Sequence, residues 1–479
     1  MPALSSDVVV VGAGPAGLAL TVHAADRGLD VTLVEAAEDI GGALPWSGGH
    51  LSAAGTRRQA ERGIADSVEA HLADIERISR GTARPGLTRR AVEEAVPTLE
   101  WLDDLGLELD PATPRIVHGH EQYSVPRTVH GTNMALGILE VLRAELERVV
   151  ADGRVTVLLG TRVTSLVAAG ERVVGVRLAG GDQVLGDEIV LATGGFGHEP
   201  ELFAELEGVP LVTSSAPTST GDGIRLGRSV GAGIAGRGMY IPTFGGLPPE
   251  GDDLRVDWVH RPHLVAPERP PWEIYVDRGG RRWVAEDEPS IDAKERALTT
   301  IEDMTFWTVF DAHALASSHP MVMGWSADEL DAAAGVRRGV TKAATLEELA
   351  AAAGIDADGL LATVERYNGF VDAGRDDALG RTHLPARIEQ GPFYALENHP
   401  VTLITFAGLS VDDDLRVLRE DGSVIEGLHA VGEVIGSAAV NGNSFCSGMC
   451  LTPALALGRR LGLDLSTVDA VGTTTKGTH

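Results

Sequence analysis

The period of hydrophobic and polar positions changes several times along this chain. Val8-Val9-Val10-Val11 is an unbroken β-branched run, the pattern of a strand covered on both faces. It stops at Gly12-Ala13-Gly14-Pro15-Ala16-Gly17. Residues 18–27 then predict a helix closed by Gly28, and Val31-Thr32-Leu33-Val34 a second strand closed by Glu35. This is a βαβ unit in about 30 residues. Residues 56–80 and 88–105 read as helical. Residues 133–150 predict an amphipathic helix with Leu136, Leu139, Leu142 and Leu146 on one side. The texture then turns to β at 155–159, 161–167, 172–178 and 188–191, with a short helix at 222–232. Between 240 and 280 the chain is rich in Pro, Gly and Trp with weak periodicity, which marks a domain boundary. Residues 326–372 read as helical, broken at Gly339 and Gly354. Short strands return after Pro400, and a final helix is expected from about 448 to 461. The Thr- and Gly-rich tail is expected to be disordered.

Composition narrows the function classes. The 479 residues carry 40 Lys and Arg against 69 Asp and Glu, a formal charge of −29. That balance disfavours nucleic acid and anionic membrane surfaces as partners, since both need a basic footprint. A hydrophobic content of 43% excludes a disordered chain. Two cysteines cannot staple a chain of this size, which points to a reducing compartment. The first residues lack the basic start of a signal peptide, and no apolar run reaches membrane-spanning length. A cytoplasmic protein without a membrane is the expectation.

The first chemical signal is Gly12-x-Gly14-x-x-Gly17 between a strand and a helix. Gly12 permits the tight turn, Gly14 lets a pyrophosphate approach the backbone, and Gly17 lets helix and strand pack closely. The helix N-terminus supplies N–H groups and the positive end of its dipole. Glu35, 21 residues beyond Gly14, stands where a carboxylate can accept from ribose hydroxyls. A dinucleotide site is the reading.

Ala192-Thr193-Gly194-Gly195-Phe196-Gly197 and Gly427-Leu428-His429-Ala430-Val431-Gly432-Glu433-Val434 resemble the two other nucleotide contacts of flavoproteins built on the glutathione-reductase-like FAD fold. There is no second GxGxxG unit and no CxxxxC redox pair, so FAD is favoured over a stable nicotinamide site. The fuller match is to the fumarate reductase/succinate dehydrogenase flavoprotein superfamily, which includes ketosteroid Δ1-dehydrogenase-like and tricarballylate dehydrogenase-like members. Gly41-Gly42-x-x-x-x-Ser47-Gly48-Gly49 resembles its flavin-facing loop and Asp66-Ser67 the pair that follows. Ser124-Val125-Pro126-Arg127-Thr128, Thr220-Gly221-Asp222-Gly223-Ile224, Gly279 to Glu286, Tyr367-Asn368-Gly369-Phe370 and Leu451 to Arg459 are similar to further family segments.

The resemblance implies an α/β protein. A glutathione-reductase-like Rossmann FAD-binding domain would be assembled from 1–239 and 396–465, with an α+β capping domain inserted at 240–395 and a disordered tail at 466–479. The implied FAD contacts are Gly12, Ala13, Gly14, Pro15, Ala16, Gly17, Glu35, Ala36, Gly41, Gly42, Ser47, Gly48 and Gly49, then Val163, Ala192, Thr193, Gly194, Asp222, Gly432, Glu433, Gly448 and Leu451. The implied chemistry is hydride transfer between flavin N5 and a carbon beside a carbonyl or carboxylate, with a small-molecule substrate and an unidentified electron donor or acceptor.

The departures from the family pattern are equally specific. The proton-donor Arg of fumarate reductases falls on Ser290, their late Arg on Phe445 and their late His on Ile404, and the "H-P" motif near Pro242 is absent. A C4 dicarboxylate is therefore not the expected substrate. The ketosteroid branch polarises a ketone with a backbone N–H at the position of Gly448, but Ser444 stands where its Tyr would be. The histidine that carries covalent flavin in respiratory members falls near Gly42, so FAD is expected to bind non-covalently. Gly448, Ser444, Tyr240 and Tyr123 are the candidate catalytic residues, the two tyrosines being either hydrogen-bond partners of substrate or packing residues. Glu286, Asp287, Glu288 and Asp292 offer either a base or a solvated acidic face. His50 is a candidate for the flavin side, and His260 and His263 for the entrance. Cys446-x-x-x-Cys450 is either a helix-start thiolate or a pair of packing residues, and it lacks the further ligands a metal needs. An NAD(P)H- and O₂-dependent monooxygenase is the alternative function.

Overall fold

The computed structural model describes residues 4–251, 253–318 and 320–466. The expected disordered tail lies outside the described residues, apart from Ser466. The N-terminal βαβ unit forms as its pattern predicts: β1 (Leu4–Val11), α1 (Pro15–Asp26) and β2 (Val31–Val34). The apolar half of β1, Val8 to Val11, is buried throughout, which is why it carries no alternation. The large sheet runs in the order 416–418, 424–430, 183–191, β1, β2, 155–158. From 424–430 to 155–158 every neighbour is parallel. A hairpin of Val163–Ala169 and Arg172–Leu178 joins this sheet antiparallel to Gln183–Leu191.

Both ends of the described chain meet on α1. The final helix, Leu451–Asp464, packs along it. A Cβ on Gly458 would lie 2.4 Å from the Ala16 carbonyl oxygen, so only glycine allows this approach. The final helix begins three residues later than the sequence suggests, because Gly448, at φ +73°, lies outside helical geometry.

A second sheet, separate from the first, is antiparallel in the order Ile274–Val276, Phe306–Asp311, Phe393–Asn398, Val340–Ala343. Helices Leu346–Ala353 and Ala357–Ala373 cover one of its faces. The stretch 326–372, read as helical, therefore contains a strand at 340–343. Phe306–Asp311 is buried at every position, so it offers no alternation to read. The expected helices at 56–80 and 88–105 divide into Arg57–Glu61, Val68–Ser79, Pro85–Glu93 and Ala95–Asp104.

Two of the family-like motifs are joined by buried charge. Arg127 grips Asp66 with Nε and Nη2 at 2.9 and 2.8 Å, and Asp74 with Nη1 at 2.7 Å. Its guanidinium lies over the Tyr123 ring, 4.6 Å from the centroid. Burial alone would raise the Asp74 carboxyl, but Arg77, the Ser124 amide and hydroxyl, and Arg127 outweigh it and hold the group at about 2.

Replacing Arg127 by Met would strip buried Asp66 of its arginine and leave Asp74 with Arg77 alone. Breaking a buried pair costs about 3–5 kcal/mol, and R127M is expected to lose stability on that scale in urea unfolding. The sign in pH follows from the depressed carboxyl. Its stabilisation is present above the ordinary carboxylate range and disappears as pH falls toward about 2. The acid transition of R127M is expected at higher pH than that of the wild type; equal transitions would show that the pairing contributes nothing.

Candidate active site

Because the central strands are parallel, their carboxyl ends share one edge of the sheet. The turn after β1, Glu35 after β2, Ala192-Thr193-Gly194 after 183–191, and Gly432-Glu433 after 424–430 all meet there. They border a cavity of about 730 Å³ that extends to the second sheet's side of the molecule.

The nucleotide end is a helix terminus left open. Gly14 is the N-cap of α1, no side chain caps it, and Pro15 follows at the first helical position. A Cβ on Gly14 would meet nothing within 4 Å, so the space beside it is free for a ligand. A Cβ on Gly17 would fall 2.0 Å from the Gly12 carbonyl oxygen, which confirms that this glycine serves packing. The Glu35 carboxylate accepts from the Ala13 and Ala37 amides at 2.7 and 2.8 Å while lining the cavity. The Thr193 hydroxyl is buried there with no hydrogen-bond partner among the described residues. An open helix N-terminus, a ribose-height carboxylate and an orphaned hydroxyl fit a dinucleotide.

Most of the expected contacts stand in this wall: Gly12, Gly14, Pro15, Ala16, Glu35, Ala36, Gly42, Ser47, Gly48, Val163, Ala192, Thr193, Gly194, Asp222, Gly432, Glu433, Gly448 and Leu451. Asp222 is paired with Arg162. Four others stand behind the wall. The Ala13 amide goes to Glu35, the Gly41 amide to Ala13 O at 2.9 Å, Gly17 packs on Gly12, and Gly49 packs on the Met134–Ala135 backbone.

The expected catalytic side chains are placed differently. The Tyr123 hydroxyl donates to Ser447 O at 2.7 Å, and its buried ring meets His71 and Arg127 rather than the cavity. Tyr240 bonds the Thr402 hydroxyl at 3.0 Å and packs edge-on against Phe203 and Phe406. Ser444 is fully buried and donates to Asn441 O at 2.7 Å. None of the three lines the cavity; in each case a buried hydroxyl has been satisfied locally. Gly448 does line it, but the reason for glycine is steric. With φ +73°, a Cβ there would lie 2.6 Å from the Ser52 amide nitrogen, on the side of the neighbouring strand.

The remaining candidates sort as follows. Glu286 is fully buried between Arg282 and Arg381, and Asp292 is bound by Arg80 and Arg296, so the acidic cluster is neither a solvated face nor a free base. Ser290 caps helix Ile291–Leu298 and donates to Glu121 at 2.6 Å. Burial pushes the Cys446 thiol up to about 12, so it is not a thiolate. His50 lines the cavity, whereas His260 and His263 do not; Trp258, Arg261 and Glu268 of the same segment do. Burial, then His120, His130 and Arg115, hold His50 at about 4, and burial with Arg261 holds His120 at about 4, so both rings are neutral at neutral pH. His120 stacks on Phe445 at 5.8 Å between centroids, and Ile404 and Phe244 complete an apolar patch.

Sequence reasoning missed Glu295. It projects from helix Ile291–Leu298 into the cavity wall, 1% exposed, with Oε1 buried and without a partner among the described residues. Burial, reinforced by Asp292, pushes its carboxyl well above the usual range. Its setting between Lys294 and Arg296 gives no sequence signal, because a Lys-Glu-Arg run reads as a solvated face.

This chain belongs to the FAD binding domain family, whose pattern matches residues 7–451. It is 32% identical over 470 residues to the NADH:fumarate oxidoreductase of Klebsiella pneumoniae, covering 96% of this chain and 47% of that protein. It is 30% identical over 468 residues to the urocanate reductase of Eggerthella lenta, covering 95% and 74%. The chain thus spans about half the length of the first relative and three quarters of the second. Its fold matches the 3-ketosteroid delta1-dehydrogenase of Sterolibacterium denitrificans with a TM-score of 0.77 over 96% of this chain and 98% of that one, at 22% identity. The resemblance read from the motifs holds, as does the choice of FAD.

A branched side chain on Gly14 would fill the space the pyrophosphate needs. Gly14→Val is expected to purify with thermal stability near wild type but without flavin absorbance. Gly448→Val, by contrast, is expected to lower the melting temperature, since its Cβ collides with the Ser52 backbone. Full flavin in Gly14→Val would refute the assignment of the cradle.

Proposed function

We propose that this protein is an FAD-dependent oxidoreductase acting on a C–C bond next to a carbonyl, in a small organic substrate other than a C4 dicarboxylate. The observation that carries it is the open N-terminus of α1, where the missing Cβ of Gly14 leaves room for a pyrophosphate at one end of the cavity. The reading includes the glutathione-reductase-like Rossmann arrangement, assembled from 1–239 and 396–465 with a cap at 240–395. It also includes non-covalent FAD, because glycine occupies position 42 at the cavity wall. A cytoplasmic setting and a separate electron donor or acceptor belong to the same proposal; among the described residues no helix is long and apolar enough to cross a membrane. The fold likeness to a steroid dehydrogenase and the relatedness to two C=C reductases support this chemistry. No observation favours the monooxygenase.

Bound FAD supplies hydride transfer at N5. The protein's part is to hold, orient and polarise. α1 presents its N-terminal amides to the pyrophosphate, and Glu35 remains available to ribose. Gly448, just ahead of the final helix, is the candidate backbone donor to the substrate carbonyl, where negative charge develops. Phe445, Ile404 and Phe244 exclude water from that end. Where fumarate reductases have charged anchors, this cavity presents apolar side chains or a serine spent on helix capping. One charge-assisted hydrogen bond contributes about 1.5–3 kcal/mol, so losing several lowers dicarboxylate turnover by orders of magnitude.

An anaerobic screen of dithionite-reduced protein tests this. Cyclic enones and α,β-unsaturated carboxylic acids should restore the oxidised flavin spectrum, with fumarate at least about a hundredfold slower than the best of them. A rapid oxygen reaction passing through a C4a-adduct band, with NAD(P)H as donor, would instead establish a monooxygenase.

A further inference from the structure

Ser290, where the family resemblance would put a proton donor, is committed elsewhere: its hydroxyl accepts from the Ala293 amide and donates to Glu121. A reaction that adds hydride to one carbon of a C=C bond still needs a proton on the other. The acidic groups of the cavity wall narrow quickly. Glu35 is held by two amides at the nucleotide end, and Asp222 is paired with Arg162. Glu268 is exposed and faces His263 at 3.4 Å. Glu433 accepts from the Thr405 amide and hydroxyl in the turn assigned to the cofactor. His50 and His120 are neutral, and the Cys446 thiol holds its proton to about 12. Among the carboxyl groups of the wall Glu295 remains, five residues beyond Ser290, with a carboxyl oxygen that has no partner among the described residues.

We propose that Glu295 is the general acid of this site, delivering its proton to the substrate carbon alpha to the carbonyl as hydride reaches the beta carbon. The statement rests on the hydride-transfer reading above. The balance is simple. The C=C π bond breaks, a C–H bond forms at each carbon, two electrons come from reduced flavin, and Glu295 is left as carboxylate. Burial favours its neutral form, the form a proton donor needs. The groups facing it act in both directions. Asp292, one turn back on its own helix, and Glu121 from the loop before Tyr123 favour the protonated form. Arg296 and the Phe244 amide oppose it but are outweighed by burial. Asp292 itself is bound through one oxygen. Its Oδ1 is buried and unpartnered like Glu295 Oε1, while its Oδ2 meets Arg80, whose side chain is 59% exposed.

The test uses flavin-loaded wild type, Glu295→Gln and Glu295→Asp, with 2-cyclohexen-1-one and urocanate as probes. Glutamine keeps the shape and removes the proton. E295Q is expected to keep flavin content, melting temperature and probe affinity, read from the flavin difference spectrum. Its turnover should fall by about a hundredfold or more, the scale of general acid catalysis. E295D should recover part of that loss. Wild-type turnover should decline at high pH as the acid ionises, a limb E295Q lacks. Infrared difference spectra at neutral pH should show a protonated carboxyl band that E295Q removes, independently of turnover. Wild-type rates in E295Q, no such band in the wild type, or flavin-loaded enzyme that reduces neither probe would overturn the role of Glu295. Purified wild type that binds no FAD would instead overturn the functional reading itself.

Discussion

The structure depends on one helix end that the protein leaves unsatisfied. Among the described residues no side chain caps the first turn of α1, and a glycine without a Cβ stands in front of it. Such an end is costly unless an acceptor fills it, and a pyrophosphate fits its partial positive charge. The surrounding fold is arranged to bring one there. Parallel pairing from 424–430 across to 155–158 places four loops on one edge, and the final helix packs on α1 through Gly458 to hold its direction. In a chain of net charge −29, this local positive potential also concentrates an anionic cofactor at one place.

These features were legible because each has a steric cause that a sequence displays. A strand buried on both faces must be a continuous apolar run, and a turn that approaches a ligand must be glycine. The second sheet was not legible for the complementary reason. Phe306–Asp311 is defined by neighbours from 274–276 and 393–398, and Val340–Ala343 pairs with Phe393–Leu396 across more than fifty residues. Lys294-Glu295-Arg296 misled in another way. Lys294 is buried against Leu264 O at 2.8 Å and pushed down to about 8 by burial, so a run that looks solvated lies inside the molecule.

Matching positions to a family located the loops but not the directions of side chains. Tyr123 and Ser52 both donate to Ser447 O at 2.7 Å, and Thr128 meets the Ser447 hydroxyl at 3.0 Å. Ser444 closes on Asn441. Together they fasten the loop that carries Gly448 to the cavity. Hydroxyls that suggested chemistry thus fix the backbone on which chemistry would rely, and buried networks of this kind specify one conformation when every member is satisfied.

The cavity treats charge differently from the rest of the molecule. Elsewhere in the interior, Asp66 and Asp74 are paired with Arg127, and Glu286 with Arg282 and Arg381. Inside the cavity, His50 and His120 are neutral, Cys446 keeps its proton, and Glu295 and Glu433 are pushed toward the uncharged acid. Arg115, Arg261 and Glu268 also line the wall, but beside Phe244, Ile404 and Phe445 the local dielectric is low. Charge that develops on a substrate oxygen there is felt strongly by fixed N–H dipoles and by a nearby acidic proton, and weakly screened by water. A carboxyl that is expensive to ionise at rest becomes an effective donor once a carbanion-like carbon forms beside it. The same burial that makes Glu295 an anomaly in the fold therefore suits it to that step.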